Sequence, residues 1–268
     1  MMRKILLLCA ALVCAALFVA GCGKCEKSGA PAGEKFTLRV GFDADFPPYG
    51  FRNEAGELVG FDLDLAKEVC KRRGWDIELK PIDWDAKDAE LDAGTINCIW
   101  NGFTINGRED KYTWTCPYVD NTLVFMVKAA SPIQTPADLK GKVVEVQADS
   151  SGLAAISEED KKDLKDSFAK LITVPNYNNA SMELETGTCD AVIIDIAVAD
   201  DIIRKAKPGT FRKLEEPLST EQYGVGFKLG DVYARDQVEM TLREMVADGV
   251  FQIISEKWFD GKNVCAIK

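Results

Sequence analysis

The chain has 268 residues, 43 acidic against 33 basic, a net charge of −10 and no histidine. The surplus of anions argues against nucleic acid and against an anionic membrane surface as partners. The missing histidine removes Ser-His-Asp triads, histidine general bases and histidine-ligated metals, and no Gly-x-Ser-x-Gly, P-loop or dinucleotide-binding glycine pattern points to a cofactor or metal.

The chain opens with Arg3 and Lys4, followed by an uncharged run from Ile5 to Val19 and then Ala20, Gly21 and Cys22. That order of charge, apolar run and small residues predicts a secretory signal over 1–21. The run is shorter than the roughly 20 residues a membrane span needs. Loss of Arg3 and Lys4 with the leader takes the net charge from −10 to −12. Residues 22–35 are small, polar and contain glycine and proline, as a flexible tether does. The nine cysteines follow no zinc or disulfide-scaffold spacing, and their pairing is unreadable.

From Phe36 the pattern alternates strand and helix. Phe36–Phe42 reads as a strand and Asn53–Glu57 as a turn. Asp62 opens a helix with Leu65, Ala66, Val69 and Cys70 on one face, stopped by Gly74. Trp75–Ile82 is the next strand, Asp85–Asp92 a short helix stopped by Gly94, and Ile96–Trp100 a strand. Val119–Val127 is an apolar strand. A second region repeats the grammar: strand Lys142–Val146, a charged helical stretch Ser151–Asp166, strand Leu171–Val174, helix Asn178–Thr186 stopped by Gly187, and strand Ala191–Ile194. The last is unbroken and apolar, as in a parallel sheet buried on both faces. Tyr223–Phe227 is a further strand, and Asp231–Asp248 and Val250–Trp258 are helices. A chain that leaves the first lobe near 127 and returns near 224 gives an α/β fold with two lobes and two hinge strands. Lobe one is then 36–127 with 224–268, and lobe two 128–223. Small-molecule sites concentrate in the cleft of such folds.

A free amino acid is a zwitterion, so a site for one needs a cation and N–H donors for the carboxylate and an anion for the ammonium. Thr104 and Arg108 follow a strand and sit where strand ends open into a cleft. Arg108 also heads the solvated run Arg-Glu-Asp-Lys, so two readings stand. Asp195 reads either as a helix cap or as an acceptor for an ammonium. Ser150 and Ser151 open a helix, as plain caps or as part of an anion site. Phe46 and Trp84 lie on loops after strands, where a core role is the default.

Taken in order, several segments resemble the family 3 bacterial extracellular solute-binding proteins, the polar amino-acid binders. They are Gly41-Phe-Asp-Ala-Asp-Phe-Pro-Pro-Tyr49, Gly60-Phe-Asp-Leu-Asp-Leu-Ala66, Trp84-Asp-Ala, Gly102-Phe-Thr-Ile, Asp138-Leu-Lys-Gly-Lys142, Val146-Gln-Ala-Asp-Ser-Ser and Asp190-Ala-Val. The ending Val19-Ala20-Gly21-Cys22 resembles a bacterial lipobox with Cys22 as the lipid-bearing residue. The resemblance implies a two-lobed periplasmic-binding-protein-like fold of type II. It implies a monomer held outside the cytoplasm by its lipid, which delivers a free amino acid to an ABC permease and its ATPase. It assigns Arg108 the ligand carboxylate, helped by Thr104 and the backbone around Ser150 and Ser151, and Asp195 the ammonium. Asp43, Phe46 and Trp84 would surround the ligand side chain, and Gly102 would supply a backbone contact. Thr104 and Arg108 are one residue closer than the family's spacing, and Asp149 stands where small residues are common. The alternatives on the same fold are an enzyme resembling cyclohexadienyl dehydratase and a ligand-sensing module.

Overall fold

The computed structural model describes residues 35–268. The expected signal peptide, the lipid site Cys22 and nearly all of the tether lie outside the described residues.

The first sheet gathers β1 (Thr37–Phe42), β5 (Asp76–Pro81), β6 (Cys98–Ile99), β7 (Thr113–Trp114) and β14 (Gly226–Phe227). Three short strands, β2 (Asp45–Phe46), β3 (Gly50–Arg52) and β4 (Leu58–Val59), form a separate small sheet beside it. Helix α1 (Phe61–Arg73) carries Asp62 and Asp64 in its first turn and Lys71, Arg72 and Arg73 in its last, matching its dipole. It ends on Gly74, whose left-handed backbone returns its N–H to Cys70 and Lys71 carbonyls. Next come β5 (Asp76–Pro81), a helical turn at Trp84–Ala86, α2 (Lys87–Ala93), β6 (Cys98–Ile99) and β7 (Thr113–Trp114). The order β5-β1-β6-β14-β7 is parallel across β5, β1 and β6 and antiparallel at β14 (Gly226–Phe227).

The second sheet is built around β8 (Val119–Lys128). Ten residues long, it pairs antiparallel with β11 (Ala191–Asp195) on one edge, and with β12 (Phe211–Lys213) and β13 (Ser219–Tyr223) on the other. Beyond β11 lie β9 (Val143–Gln147) and β10 (Lys170–Val174), both parallel. Ala191–Asp195 is fully buried, as its unbroken apolar run predicts, although one of its two neighbours is antiparallel. The stretch read as one helix over Ser151–Asp166 divides into α3 (Ser151–Ile156) and α4 (Lys162–Ser167), separated by the charged turn Glu159–Lys161. Helices α5 (Tyr177–Thr186) and α6 (Ile196–Lys205) complete the lobe, and α7 (Val232–Ala247) and α8 (Val250–Trp258) pack back on α1.

The sheets move the expected break in the chain. All of Val119–Lys128 is hydrogen-bonded into the second sheet, so the outward crossing falls at 115–119 and not near 127. The return crossing separates β13 from β14, which divides the expected Tyr223–Phe227 strand in two. The crossings run side by side: Tyr118 N–H donates to Tyr223 O at 2.9 Å, and Thr115 N–H to Val225 O at 3.1 Å. Two stretches of extended backbone therefore join the lobes, with one apolar cluster continuous through Tyr118, Tyr223 and Val225.

The two lobes also end a helix in the same way. After α2, Gly94 is left-handed and Thr95 N–H returns to Glu90 O at 3.1 Å; after α5, Gly187 is left-handed and Thr188 N–H returns to Glu183 O at 2.9 Å. This is the glycine stop with its six-to-one hydrogen bond.

Candidate functional site

Strand ends and loops from both lobes meet around a cleft enclosing about 280 Å³. Its walls include Phe46, Trp84, Gly102, Thr104 and Arg108 from the first lobe, and Ser150, Ser151 and Asp195 from the second. Of the nine residues singled out in the sequence, only Asp43 stands behind the wall.

Asp195 occupies the cap position of α6 but makes no cap hydrogen bond. Its buried carboxylate accepts instead from Asn121 Nδ2 at 2.8 Å, Tyr177 Oη at 3.2 Å and Tyr223 Oη. Burial raises its pKa, and the two phenols and the amide pull the other way. Ser150 follows the plain cap reading, its Oγ accepting from Leu153 N–H at 3.2 Å and donating to Gln147 O at 2.8 Å.

Arg108 makes no ion pair among the described residues, so the charge run Arg-Glu-Asp-Lys does not consume it. Its Nη1 donates to Thr104 O at 3.4 Å, its Nη2 to Asp149 O at 3.3 Å, and the guanidinium lies 5.2 Å from the Phe103 ring centroid. The short loop is closed by a turn in which Arg108 N–H donates to Ile105 O at 2.9 Å. That turn brings the guanidinium to the cleft wall despite the shortened spacing.

Phe46 and Trp84 are both packed and cleft-lining. Phe46 lies 5.6 Å from Tyr49 and 5.9 Å from Tyr177, and Trp84 meets Phe103 edge-on at 5.5 Å. Gly102 adopts φ +55°, where a Cβ would sit 2.9 Å from Phe46 and 3.0 Å from Tyr223. Its N–H is held at 2.6 Å by buried Asp62, in the first turn of α1. Asp43 accepts from Gln147 Nε2 at 2.7 Å across the cleft, and burial pushes its pKa up to about 6.

The residue most plainly missed by sequence reasoning is Glu221, on β13. Its Oε1 accepts from Thr104 Oγ1 at 2.9 Å, Asn121 Nδ2 at 2.9 Å and Ser151 Oγ at 3.1 Å, so it ties the first lobe to β8 and to the start of α3 in the second. Burial, and then the neighbouring Asp195 carboxylate, push it up to about 7. Only its place before Tyr223-Gly-Val-Gly-Phe hinted at it. Gln147, Asn101 and Tyr177 also line the cleft and carried no signal of their own. The charge of Asp149 is matched by Lys87, whose side chain reaches it from α2 in the other lobe.

The sequence matches the family described as bacterial extracellular solute-binding proteins, family 3, over residues 38–261. The L-cystine-binding protein TcyJ of Escherichia coli K12 is 32% identical over 232 residues, covering 84% of each chain. The arginine-binding extracellular protein ArtP of Bacillus subtilis is 30% identical over 270 residues, covering 97% of this chain and all of that one. Among solved structures, an ABC uptake transporter substrate-binding protein from Streptococcus pneumoniae with bound histidine superposes with a TM-score of 0.82 at 33% identity. It covers 86% of this chain and 95% of its own. With that match spanning both lobes and the cleft between them, the chain belongs to the family 3 bacterial extracellular solute-binding proteins.

Proposed function

We propose that this protein captures a free amino acid in the interlobe cleft and delivers it to an ABC importer. One observation carries the reading: a guanidinium without an ion-pair partner among the described residues, Arg108, and a buried carboxylate, Asp195, line the same small cavity between two lobes. A zwitterion needs that pair of charges. Thr104, Ser151 and the backbone at Ser150 stand beside Arg108; the two hydroxyls, which donate to Glu221 in this structure, turn to the ligand carboxylate on binding, and Gly102 lets the backbone approach. Closure about the crossings at 115–119 and 223–225 brings the two sets of groups together.

The proposed ligand class is an amino acid with a cationic side chain. At or behind the cavity wall stand three carboxylates, Asp43, Asp195 and Glu221, and, among the described residues, Arg108 is the cation there without an ion pair, because Lys87 is paired with Asp149. A net-neutral zwitterion leaves that excess in place, and a cationic ligand reduces it. Phe46 and Trp84 line the cavity, and aromatic rings suit a guanidinium. The relative named for arginine agrees with this class, and the one named for L-cystine does not.

The test is a thermal-shift screen of all twenty amino acids on protein stripped of carried-over ligand. A ligand at 100 times its Kd stabilises by about 2.7 kcal/mol. Arginine or lysine is expected to give the largest shift, and a screen with no shift from any amino acid rejects the reading.

We read the chain as a monomeric binding protein and not an enzyme, in line with the names of its relatives. We also propose export and acylation at Cys22, on the pattern of residues 1–22. Labelling of the cell-expressed protein with a palmitate analogue, lost in Cys22→Ser, tests this.

A further inference from the structure

We propose that Lys87 is a positioning residue whose ammonium reaches from the first lobe to Asp149 in the second and holds the Asp149–Ser151 loop against the cleft. It uses the amino-acid-binding reading above for its kinetic test only.

Lys87 opens α2 and its side chain is 1% exposed. A lysine is almost never buried to that degree unless paired. Its three N–H protons meet three acceptors: Trp84 O at 3.2 Å, Asp149 O at 3.3 Å and the Asp149 carboxylate. The ammonium also sits 5.0 Å from the Trp84 ring centroid. Two of the three acceptors belong to the other lobe, so separating the lobes strips them away. Arg108 Nη2 adds a second bond from the first lobe to the same Asp149 carbonyl, at 3.3 Å. Asp149 has φ +52° and directly precedes Ser150 and Ser151. Fixing its main chain therefore fixes the start of α3. Lys87 itself does not line the cavity.

The two partners are unequal, and that gives the contact a signature. Asp149 is 55% exposed while Lys87 is 1% exposed. Removing Lys87 leaves an anion that water can solvate. Neutralising Asp149 leaves a buried cation without its counter-ion, which is the costlier change. The exposed residue of the pair is thus the more sensitive one, and loss of Lys87 rescues loss of the Asp149 charge.

The experiment measures L-arginine dissociation by stopped-flow fluorescence from four full-length proteins: wild type, Lys87→Met, Asp149→Asn and the double variant. Methionine keeps the length of the buried stem, and asparagine tolerates the left-handed backbone. Lys87→Met is expected to dissociate about 3-fold faster and Asp149→Asn at least ~10-fold faster, with association rates nearly unchanged. The double variant is expected to match Lys87→Met. Additive effects, or equal losses in association, overturn the proposal. Should Asp149→Asn not fold by circular dichroism, Asp149→Gly, which accepts the left-handed backbone, carries the same comparison. If wild type binds no arginine, the functional reading is in question, and the contact is read by small-angle scattering of the same four chains. A larger radius of gyration for Asp149→Asn that returns in the double variant supports the contact, and four identical radii overturn it.

Discussion

Asp195 and Glu221 share one amide: the Nδ2 of Asn121 donates to Asp195 Oδ1 at 2.8 Å and to Glu221 Oε1 at 2.9 Å. Two carboxylates are thereby held beside the cleft in a site that disfavours two negative charges at once. Burial raises both, Glu221 to about 7, and the Asp195 charge adds to the rise at Glu221.

A ligand ammonium favours the ionised pair, so binding is expected to release protons near pH 7 and to weaken as pH falls below it. Calorimetry in two buffers of different ionisation enthalpy reads the release directly, and Glu221→Gln is expected to diminish it. Proton uptake on binding contradicts this account.

Arg108→Ala is expected to weaken amino-acid binding by about 2–5 kcal/mol, the range for removing one member of a desolvated charge pair. That is at least ~30-fold in Kd. Titration calorimetry with unchanged affinity removes Arg108 from the site.

Gly102→Ala forces a Cβ to within 2.9 Å of Phe46 and 3.0 Å of Tyr223 at φ +55°. The expected cost is on the order of 1–3 kcal/mol of stability, from backbone strain plus overpacking. Urea unfolding measures it, and the shift of Phe46 is expected to lower affinity as well.

Glu145 on β9 is 0% exposed, and neither carboxylate oxygen has a hydrogen-bond partner among the described residues. Burial, and then the nearby Glu183 carboxylate, push it up to about 7 from an ordinary 4.5. Between these values the folded chain holds a proton that the unfolded chain has lost. This contribution is present below about pH 4.5 and fades as pH rises through 7. Glu145→Gln removes the titration, so the variant is expected to gain on the wild type by on the order of 1–3 kcal/mol from pH 5 to pH 8. Denaturant midpoints at the two pH values check it, and a constant difference between the chains refutes it.

Much of the layout was legible because it is local. The apolar spacing of Leu65, Ala66, Val69 and Cys70 and the stop at Gly74 recur in α1, and Gly94 and Gly187 end their helices as left-handed residues. The expected single helix over Ser151–Asp166 did not survive, because Ser157–Lys161 carries no apolar residue to hold it on the sheet. Short strands such as β12 and β13 escaped notice because pairing with β8, not their own composition, makes them strands. For the same reason the lobe boundary near 127 moved to 115–119.

The site divides along the same line. Motif order placed Thr104, Arg108, Ser151 and Asp195 at strand ends, since a strand–loop–helix pattern alone fixes where a loop emerges. Sequence could not choose between cap and cleft for Asp195, or between core and site for Trp84, because each choice depends on what approaches from elsewhere in the chain. Glu221 and Lys87 gained their roles wholly from partners 117 and 62 residues away. By itself the sequence determined the elements, their stops and the chemistry on offer, all properties of neighbouring residues. Only the tertiary structure decided which charges face each other across the cleft, because pairing a buried ion depends on distance in space.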